Sequence, residues 1–147
     1  MRRHHLLVIL VLFVLWGLAA CGAQKLPDGC PPACSGLYLY QYKLNKANLA
    51  GADLSKADLT RAVLVGANLS GANLQGAIMP YTDLRDSNLS DADLRGADLR
   101  FARLKGADLR GAKLEGANLL SATYRPSTQW PEGFDFRAAG AVLAPTD

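Results

Sequence analysis

Aspartates are the side chains of this 147-residue sequence with the clearest capacity for chemistry. Paired carboxylates can act as general acid and base, and clustered ones can bind a cation. Many of them recur, however, at one fixed place of a short repeat, namely Asp53, Asp58, Asp93, Asp98 and Asp108. Such regularity is typical of a solvated face. The glycine-rich nonapeptide of calcium-binding β-helices is absent, so we predict no metal site.

Histidine occurs only at His4 and His5. The rest of the sequence therefore lacks the imidazole that Ser/His/Asp and Cys/His nucleophilic arrangements require. A short repeat that fills its interior with its own side chains also offers no deep pocket for a small molecule. The sequence predicts a protein that is not an enzyme, with no catalytic residues, no cofactor and no small-molecule substrate.

The N-terminal residues have the pattern of an export signal. Arg2 and Arg3 precede Leu6–Ala20, which carries no charge and is nearly all apolar. A basic head, a short apolar run and small residues at its end are typical of a secretory signal peptide, here residues 1–20. The alternative is an uncleaved anchor, because Leu6–Ala23 is just long enough to cross a bilayer. Both interpretations place the folded part outside the cytoplasm.

The signal ends in the letters LAAC, residues 18–21. This ending resembles the lipobox of bacterial lipoproteins, and the resemblance implies cleavage before Cys21 and lipid attachment to Cys21. Two or more acyl chains hold a protein stably on a membrane. Gly22 stands where aspartate commonly marks inner-membrane retention, which favours the outer membrane if the cell has one. Residues 21–36 are then predicted to form a lipid-anchored tether and N-terminal cap on the periplasmic or cell-surface side.

Two further cysteines, Cys30 and Cys34, stand in the letters CPPAC. An oxidising envelope compartment permits a disulfide between them. Two free thiols or half of a metal site are the alternatives. Two cysteines cannot complete a tetrahedral zinc site, and no histidine follows them, so the disulfide is favoured.

The net charge is balanced. The full chain has 16 basic and 13 acidic residues, for a net charge of +3. Loss of Arg2 and Arg3 with the signal leaves a net charge near +1. This balance argues against nucleic acid as a partner.

A repeat of five residues dominates the chain. From Leu44 to Leu119 there are sixteen consecutive pentads, fifteen with a central leucine and one with Met79. On a helix, a step of five would spread the leucines around the cylinder, and on a straight strand they would alternate between faces. One surface can hold all of them only if the chain bends once in every pentad. The period therefore predicts a coil.

The other positions of the pentad fit such a coil. The residue two before the leucine is small and would face inward with it, while the Asp or Asn between them would face outward. The last position is glycine in eight pentads, as suits a tight corner. The interior would then alternate large and small side chains.

These features, as in the letters ANLAGADLSKADLT at residues 47–60, resemble the A(D/N)LXX motif of pentapeptide-repeat proteins. The resemblance covers residues 37–124. It implies an all-β fold, a right-handed quadrilateral parallel β-helix of about four coils with four pentads per coil. Short caps are expected at both ends, and Trp130, Phe134, Phe136 and Val142–Leu143 in residues 125–147 would cover the last coil.

A group of residues departs from the motif near one edge of the predicted square. Apolar or cationic side chains stand there at outward or corner positions, namely Val63, Val65, Ile78, Tyr81, Arg100, Phe101 and Arg103. Tyr81 and Phe101 are twenty residues apart and should stack. Aromatic residues beside arginines are typical of interface hot spots. This edge is predicted to bind a protein partner or a second copy of the chain, and the alternative is that a tail or the tether covers it.

Two functions follow as hypotheses. The first is a lipid-anchored envelope protein that acts as a protein-interaction or structural module. The second comes from the resemblance, since some pentapeptide-repeat proteins mimic DNA and bind gyrase. A DNA mimic needs a strongly acidic rod in the cytoplasm, so the export signal and the balanced charge favour the first.

Overall fold

The structure is a computed structural model, and it describes residues 26–31 and 33–145. The predicted signal peptide and Cys21 lie outside these residues. The backbone winds into a right-handed quadrilateral β-helix, which confirms the predicted fold class. Parallel bridges join residues twenty apart, from Ala33 with Asp53 to Arg103 with Thr123. Twenty residues therefore make one coil of four pentads.

The four sides of the square are named here by their inward central residues. Side A holds Leu39, Leu59, Met79, Leu99 and Leu119; side B holds Leu44, Leu64, Leu84, Leu104 and Tyr124; side C holds Leu49, Leu69, Leu89 and Leu109; side D holds Cys34, Leu54, Leu74, Leu94 and Leu114. Along each side, one residue of each coil forms a parallel bridge with the equivalent residue of the next coil. The strands of more than one residue are β1, Thr123–Tyr124, and β2, Val142–Leu143, which pair in parallel.

Backbone hydrogen bonds between coils hold the stack together. The Leu44 N–H donates to the Val63 carbonyl at 2.7 Å, and the Val63 N–H donates to the Tyr42 carbonyl at 2.8 Å. The same two bonds recur along each side. Peptide groups buried beside an apolar axis need such partners. The ladder therefore meets this need without any long strand.

Alternating leucine and alanine fill the axis, as the sequence predicts. Leu49 through Leu109 and the alanines between them are almost completely buried. At positions 82 and 87 the small inward residues are polar. The Thr82 and Ser87 hydroxyls donate to the carbonyls of Met79 and Leu84, each at 2.7 Å. A hydroxyl thus fits the alanine position only because a carbonyl of the same corner accepts its hydrogen.

The ladder begins earlier than the predicted start at residue 37. Ala33 already pairs with Asp53, and Cys34 is fully buried where the other pentads have leucine. The Sγ atoms of Cys30 and Cys34 are bonded, with Cα atoms 5.1 Å apart. Leu26 packs against the same end of the core. The cysteine pair is therefore part of the first coil and its cover.

An aromatic cluster closes the other end of the core. Trp130 and Phe136 stack with ring centroids 4.9 Å apart, and Phe136 meets Tyr124 edge-on at 4.9 Å. The expected covering role of Val142 and Leu143 is wrong, because these side chains remain 46% and 59% exposed. They form β2, which pairs in parallel with β1 and so extends the stack of coils instead of lying across its end.

We expect truncation of one central leucine to destabilise the whole stack. Leu89→Ala removes a fully buried side chain and should lower the free energy of unfolding by about 2–5 kcal/mol. The matched control is Leu120→Ala, since Leu120 is 55% exposed, and it should change the value by less than about 0.5 kcal/mol. Urea unfolding followed by circular dichroism measures both. Equal losses in the two variants would contradict an interior filled by the central residues.

Candidate interaction surface

The outward aspartates and asparagines have a structural role at the corners. In eleven pentads the side-chain Oδ1 accepts the backbone N–H of the residue two further on, at 2.9–3.3 Å. This is the Asx turn, which a longer side chain cannot form in the same way. The acceptors are Asn48, Asp53, Asp58, Asn68, Asn73, Asp83, Asn88, Asp93, Asp98, Asp108 and Asn118.

Four of these aspartates also bind an arginine two residues on. In the Asp98–Arg100 pair, Nε donates to Oδ1 at 2.8 Å and Nη2 donates to Oδ2 at 2.7 Å. The same two-point pairing joins Asp83 to Arg85, Asp93 to Arg95 and Asp108 to Arg110. The arginine hydrogen bond lowers the pKa of Asp93, Asp98 and Asp108, with the backbone N–H adding to the effect. These carboxylates remain charged, and their acceptor atoms are already engaged.

The carboxylates therefore do not form a catalytic or metal-binding group. Each serves its own corner, on a different side or coil of the square. Among the residues that the structure describes, no three or more His, Cys, Asp or Glu side chains are grouped to hold a metal ion. The chemistry suggested by the aspartates is thus used to shape the backbone.

The predicted patch surrounds the corner between sides A and B. Tyr81 and Phe101 stack there with ring centroids 4.8 Å apart and planes 5° from parallel. The two rings are 51% and 42% exposed. The Arg61 guanidinium lies 5.5 Å from the centre of the Tyr81 ring. The twenty-residue spacing thus brings these side chains into one aromatic ridge, defined here as Arg61, Tyr81 and Phe101.

This corner differs from the other three in the residue types that occupy its left-handed position. The second residue after each central residue has positive φ from Gly36 to Ser121, whatever its type. Each of the other three corners has two or more glycines at that place, whereas this one has none. Its residues are Gln41, Arg61, Tyr81, Phe101 and Ser121, with φ of 58–59°. A bulky side chain is unusual in this left-handed region and costs about 1–3 kcal/mol there.

The other predicted patch residues lie on the two sides that meet at this corner. Ile78 on side A is 45% exposed, while Val63 and Val65 on side B are half-buried. Arg100 binds Asp98, and Arg103 donates to Asp83 at 3.1 Å. Val63, Ile78 and Arg103 occupy the Asx position, so these pentads lack the usual turn. The patch is therefore where the motif is most disturbed.

Sequence reasoning missed a groove on side B beside the aromatic ridge. Its volume is about 410 Å³. Four cationic side chains line it together with Phe101, namely Arg85, Arg103, Lys105 and Arg125. Ser121, Thr123, Ala144 and Pro145 complete the wall. One signal was available, because residues 103–105 read Arg-Leu-Lys where the neighbouring pentads on side A and side C read Asp-Leu-Arg. Ala144 and Pro145 could not be placed, since they follow the break in the repeat.

Comparisons with known proteins agree with this architecture. A family model described as pentapeptide repeats matches residues 43–79 and 82–119. The chain is similar to a pentapeptide repeat protein, Rfr23, from the cyanobacterium Cyanothece, with 40% identity, a TM-score of 0.63 and 63% of each chain covered. It is also similar to one from Nostoc, with 41% identity, a TM-score of 0.51, and 76% of this chain and 84% of the other covered.

A third similar structure comes from the thylakoid lumen of Arabidopsis thaliana. This pentapeptide repeat protein shares 25% identity, with a TM-score of 0.58, and 80% of this chain and 81% of the other are covered. No curated protein matches the chain. The chain spans just under two thirds of the Cyanothece protein, so the likeness concerns the repeat architecture.

The lowered aspartate pKa values predict acid sensitivity. A group whose pKa is lower in the folded state stabilises the fold above its unfolded pKa, and this stability is lost as the pH falls through the folded pKa. The free energy of unfolding should therefore fall below about pH 4. In the variant Asp93→Asn, Asp98→Asn, Asp108→Asn, the Oδ1 acceptors remain but the titration is removed. Its loss of stability on acidification should be smaller.

A second variant tests whether the arginines cause the lowered aspartate pKa values. Arg95→Ala, Arg100→Ala, Arg110→Ala should remove most of the acid sensitivity, because the arginine hydrogen bond is the largest cause of each lowered aspartate pKa, and burial, which raises the pKa, outweighs the backbone N–H. Urea unfolding over a series of pH values measures all three proteins. An unchanged pH profile in the asparagine variant would show that these carboxylates do not stabilise the fold.

Proposed function

The chain belongs to the pentapeptide-repeat family, and on this premise we propose that it is a lipid-anchored envelope protein that acts as a protein-interaction module without enzymatic activity. The observation that carries the interaction role is the aromatic ridge. Tyr81 and Phe101 are exposed, stacked and held at positive φ, where glycine is the least strained residue. Strained residues persist where function requires them.

The physical chemistry of the ridge suits a protein partner. Stacked aromatic rings offer a rigid apolar surface that loses little side-chain entropy on binding. Arg61 flanks one ring, and Ile78 adds exposed apolar area on side A. Aromatic residues and arginine are the side chains most enriched at binding hot spots.

The anchor and the compartment are supported by the sequence. The basic and apolar start of the chain, the LAAC letters and the favoured pairing of Cys30 with Cys34 all suit export and acylation at Cys21. The similar protein from Arabidopsis thaliana is a pentapeptide repeat protein of the thylakoid lumen. In the part of the chain that the structure describes, no helix is long and apolar enough to cross a membrane. We expect membrane attachment through Cys21 or through residues 1–20.

Intact mass of the protein from the membrane fraction tests the anchor. We expect a chain that starts at Cys21, carries acyl groups and gains the mass of two hydrogen atoms on reduction. Cys21→Ala should abolish acylation and release the protein from the membrane or leave its signal uncleaved. The matched control Cys34→Ala should keep the lipid and lose the mass change on reduction. An unmodified chain that starts at Met1 in the wild type would contradict the lipoprotein proposal.

Site-specific photocrosslinking in intact cells tests the interaction role. Benzoylphenylalanine in place of Tyr81 should yield an adduct of defined mass, because this position lies on the ridge. The control is the same residue in place of Lys113, which is exposed on side D far from the ridge. Mass spectrometry identifies the partner, and an adduct of twice the chain mass would show a second copy. Equal adducts at both positions, or none at position 81, would contradict a binding ridge.

Glycine substitution separates binding from folding. In Tyr81→Gly, Phe101→Gly the loss of ring stacking, about 0.5–1.5 kcal/mol, opposes the relief of left-handed strain, about 1–3 kcal/mol at each residue. Urea unfolding should therefore show a free energy no lower than that of the wild type by more than about 1 kcal/mol. A crosslinker at Ile78 should at the same time lose its adduct. A large loss of stability would mean that the ridge serves the fold.

A further inference from the structure

We propose that the cationic groove on side B binds an acidic peptide segment of the partner protein in extended conformation. This inference rests on the proposed interaction function and names the chemistry of the partner. It starts from the groove lined by Arg85, Arg103, Lys105 and Arg125 beside Phe101. The groove adjoins the aromatic ridge, because Phe101 is part of both.

The groove stacks like charges on successive coils. Arg85, Lys105 and Arg125 are each twenty residues apart and stand at the same place of the pentad on side B. At a spacing of about 4.8 Å per coil the three positions span about 10 Å. Cations directly opposite each other on neighbouring strands repel and destabilise a ladder. An anionic partner would relieve this repulsion.

Arginine and aspartate are also paired differently on side B than on the other sides. Arg95, Arg100 and Arg110 each have an aspartate of their own. On side B, Asp83 is shared, because both Arg85 at 2.7 Å and Arg103 at 3.1 Å bind the same Oδ2. The second acidic group that acts on Arg85 is Asp86, at the next corner. Two of the four cations, Arg85 and Arg103, therefore share one aspartate, and the Arg125 guanidinium donates to the Pro145 carbonyl.

Arg103 creates this sharing, because it stands where the motif places Asp or Asn. Its pentad gives up the Asx turn found in eleven others and adds a positive charge instead. Phe101 also stands nearby at a left-handed corner position, where glycine would be the unstrained residue. Two adjacent departures, each costly to the fold, meet at one groove. A binding role explains why they occur together.

The shape of the groove favours an extended peptide over a compact anion. Side chains on one face of an extended chain are about 7 Å apart, so two carboxylates fit within the length of the cation column. The intervening side chain would lie against the exposed rings of Tyr81 and Phe101. The Ser121 and Thr123 residues of the wall add hydroxyl groups to the far end. A single phosphate would use only part of this surface, and a flat membrane would not enter a groove.

The test measures binding of a defined peptide to the full chain in detergent. The probe is fluorescein-labelled Glu-Phe-Glu-Phe-Glu, followed by fluorescence anisotropy, with Gln-Phe-Gln-Phe-Gln as the neutral control. The groove variant is Arg103→Asn, Lys105→Ser, which installs the Asn-Leu-Ser sequence already present at residues 68–70 and 88–90. It should therefore fold. We expect it to bind the acidic peptide at least about tenfold more weakly than the wild type.

The matched control variant is Arg95→Ser, Arg110→Ser. It removes the same number of positive charges from sides D and C and leaves Asp-Leu-Ser, which the chain already has at residues 53–55. Its affinity for the acidic peptide should stay within about twofold of the wild type. Equal weakening in both variants, or equal binding of the glutamine peptide, would overturn the proposal.

Two competitors separate the remaining sources of negative charge. Displacement of the peptide by inorganic phosphate at similar concentration would overturn the peptide proposal in favour of a small oxyanion site. Displacement by soluble dihexanoyl phosphatidylglycerol would assign the groove to lipid headgroups. If no peptide binds but the Tyr81 crosslink persists, the interaction function stands and the acidic-segment inference fails. If peptide binds and the crosslink is absent, the reverse holds.

Discussion

The structure depends on one backbone constraint, the left-handed residue at every corner. A square coil closes only if the chain turns once in each pentad, and the positive φ from Gly36 to Ser121 provides that turn. Once the turn recurs every five residues, the twenty-residue register, the backbone ladder and the inward leucines follow. Glycine satisfies the constraint without strain, and the preceding Asp or Asn stabilises it through an Asx turn. A corner that lacks both the glycine and the Asx turn therefore needs another explanation, such as a binding role.

Much of the fold could be predicted because the period itself excludes helices and flat sheets. The inward leucine and alanine follow from the five-residue period. Four pentads per coil, and with them the twenty-residue register and the Tyr81–Phe101 stack, follow from the resemblance to pentapeptide-repeat proteins. The Asx turns were not anticipated, because an outward aspartate looks the same in a sequence whether it is solvated or bonded to the backbone. Cys34 as a core residue was also missed, since cysteine does not match the leucine on which the repeat was phased.

Only the part of the candidate site that lies within the repeat could be predicted from the sequence. Tyr81, Phe101 and Arg103 lie within the repeat, so their relative positions follow from the register. The groove also needs Ala144 and Pro145, which follow β2. The β2 strand pairs with β1 at a separation of nineteen residues after an aromatic loop. No periodic argument can place that strand. The same break explains why Val142 and Leu143 lie on the ladder and not across its end.

The position of the groove along the axis connects it to the proposed anchor. The described chain enters at the coil of Ala33, whereas Arg85, Lys105 and Arg125 belong to the later coils. The equivalent outward places of the earlier coils hold a mixture of residue types, and the paired Asp and Arg residues begin at Asp83. A lipid at Cys21 would hold the end of the rod that lacks these charges. The charged coils, the ridge and the groove would then face away from the tether, where a partner's acidic segment could reach them.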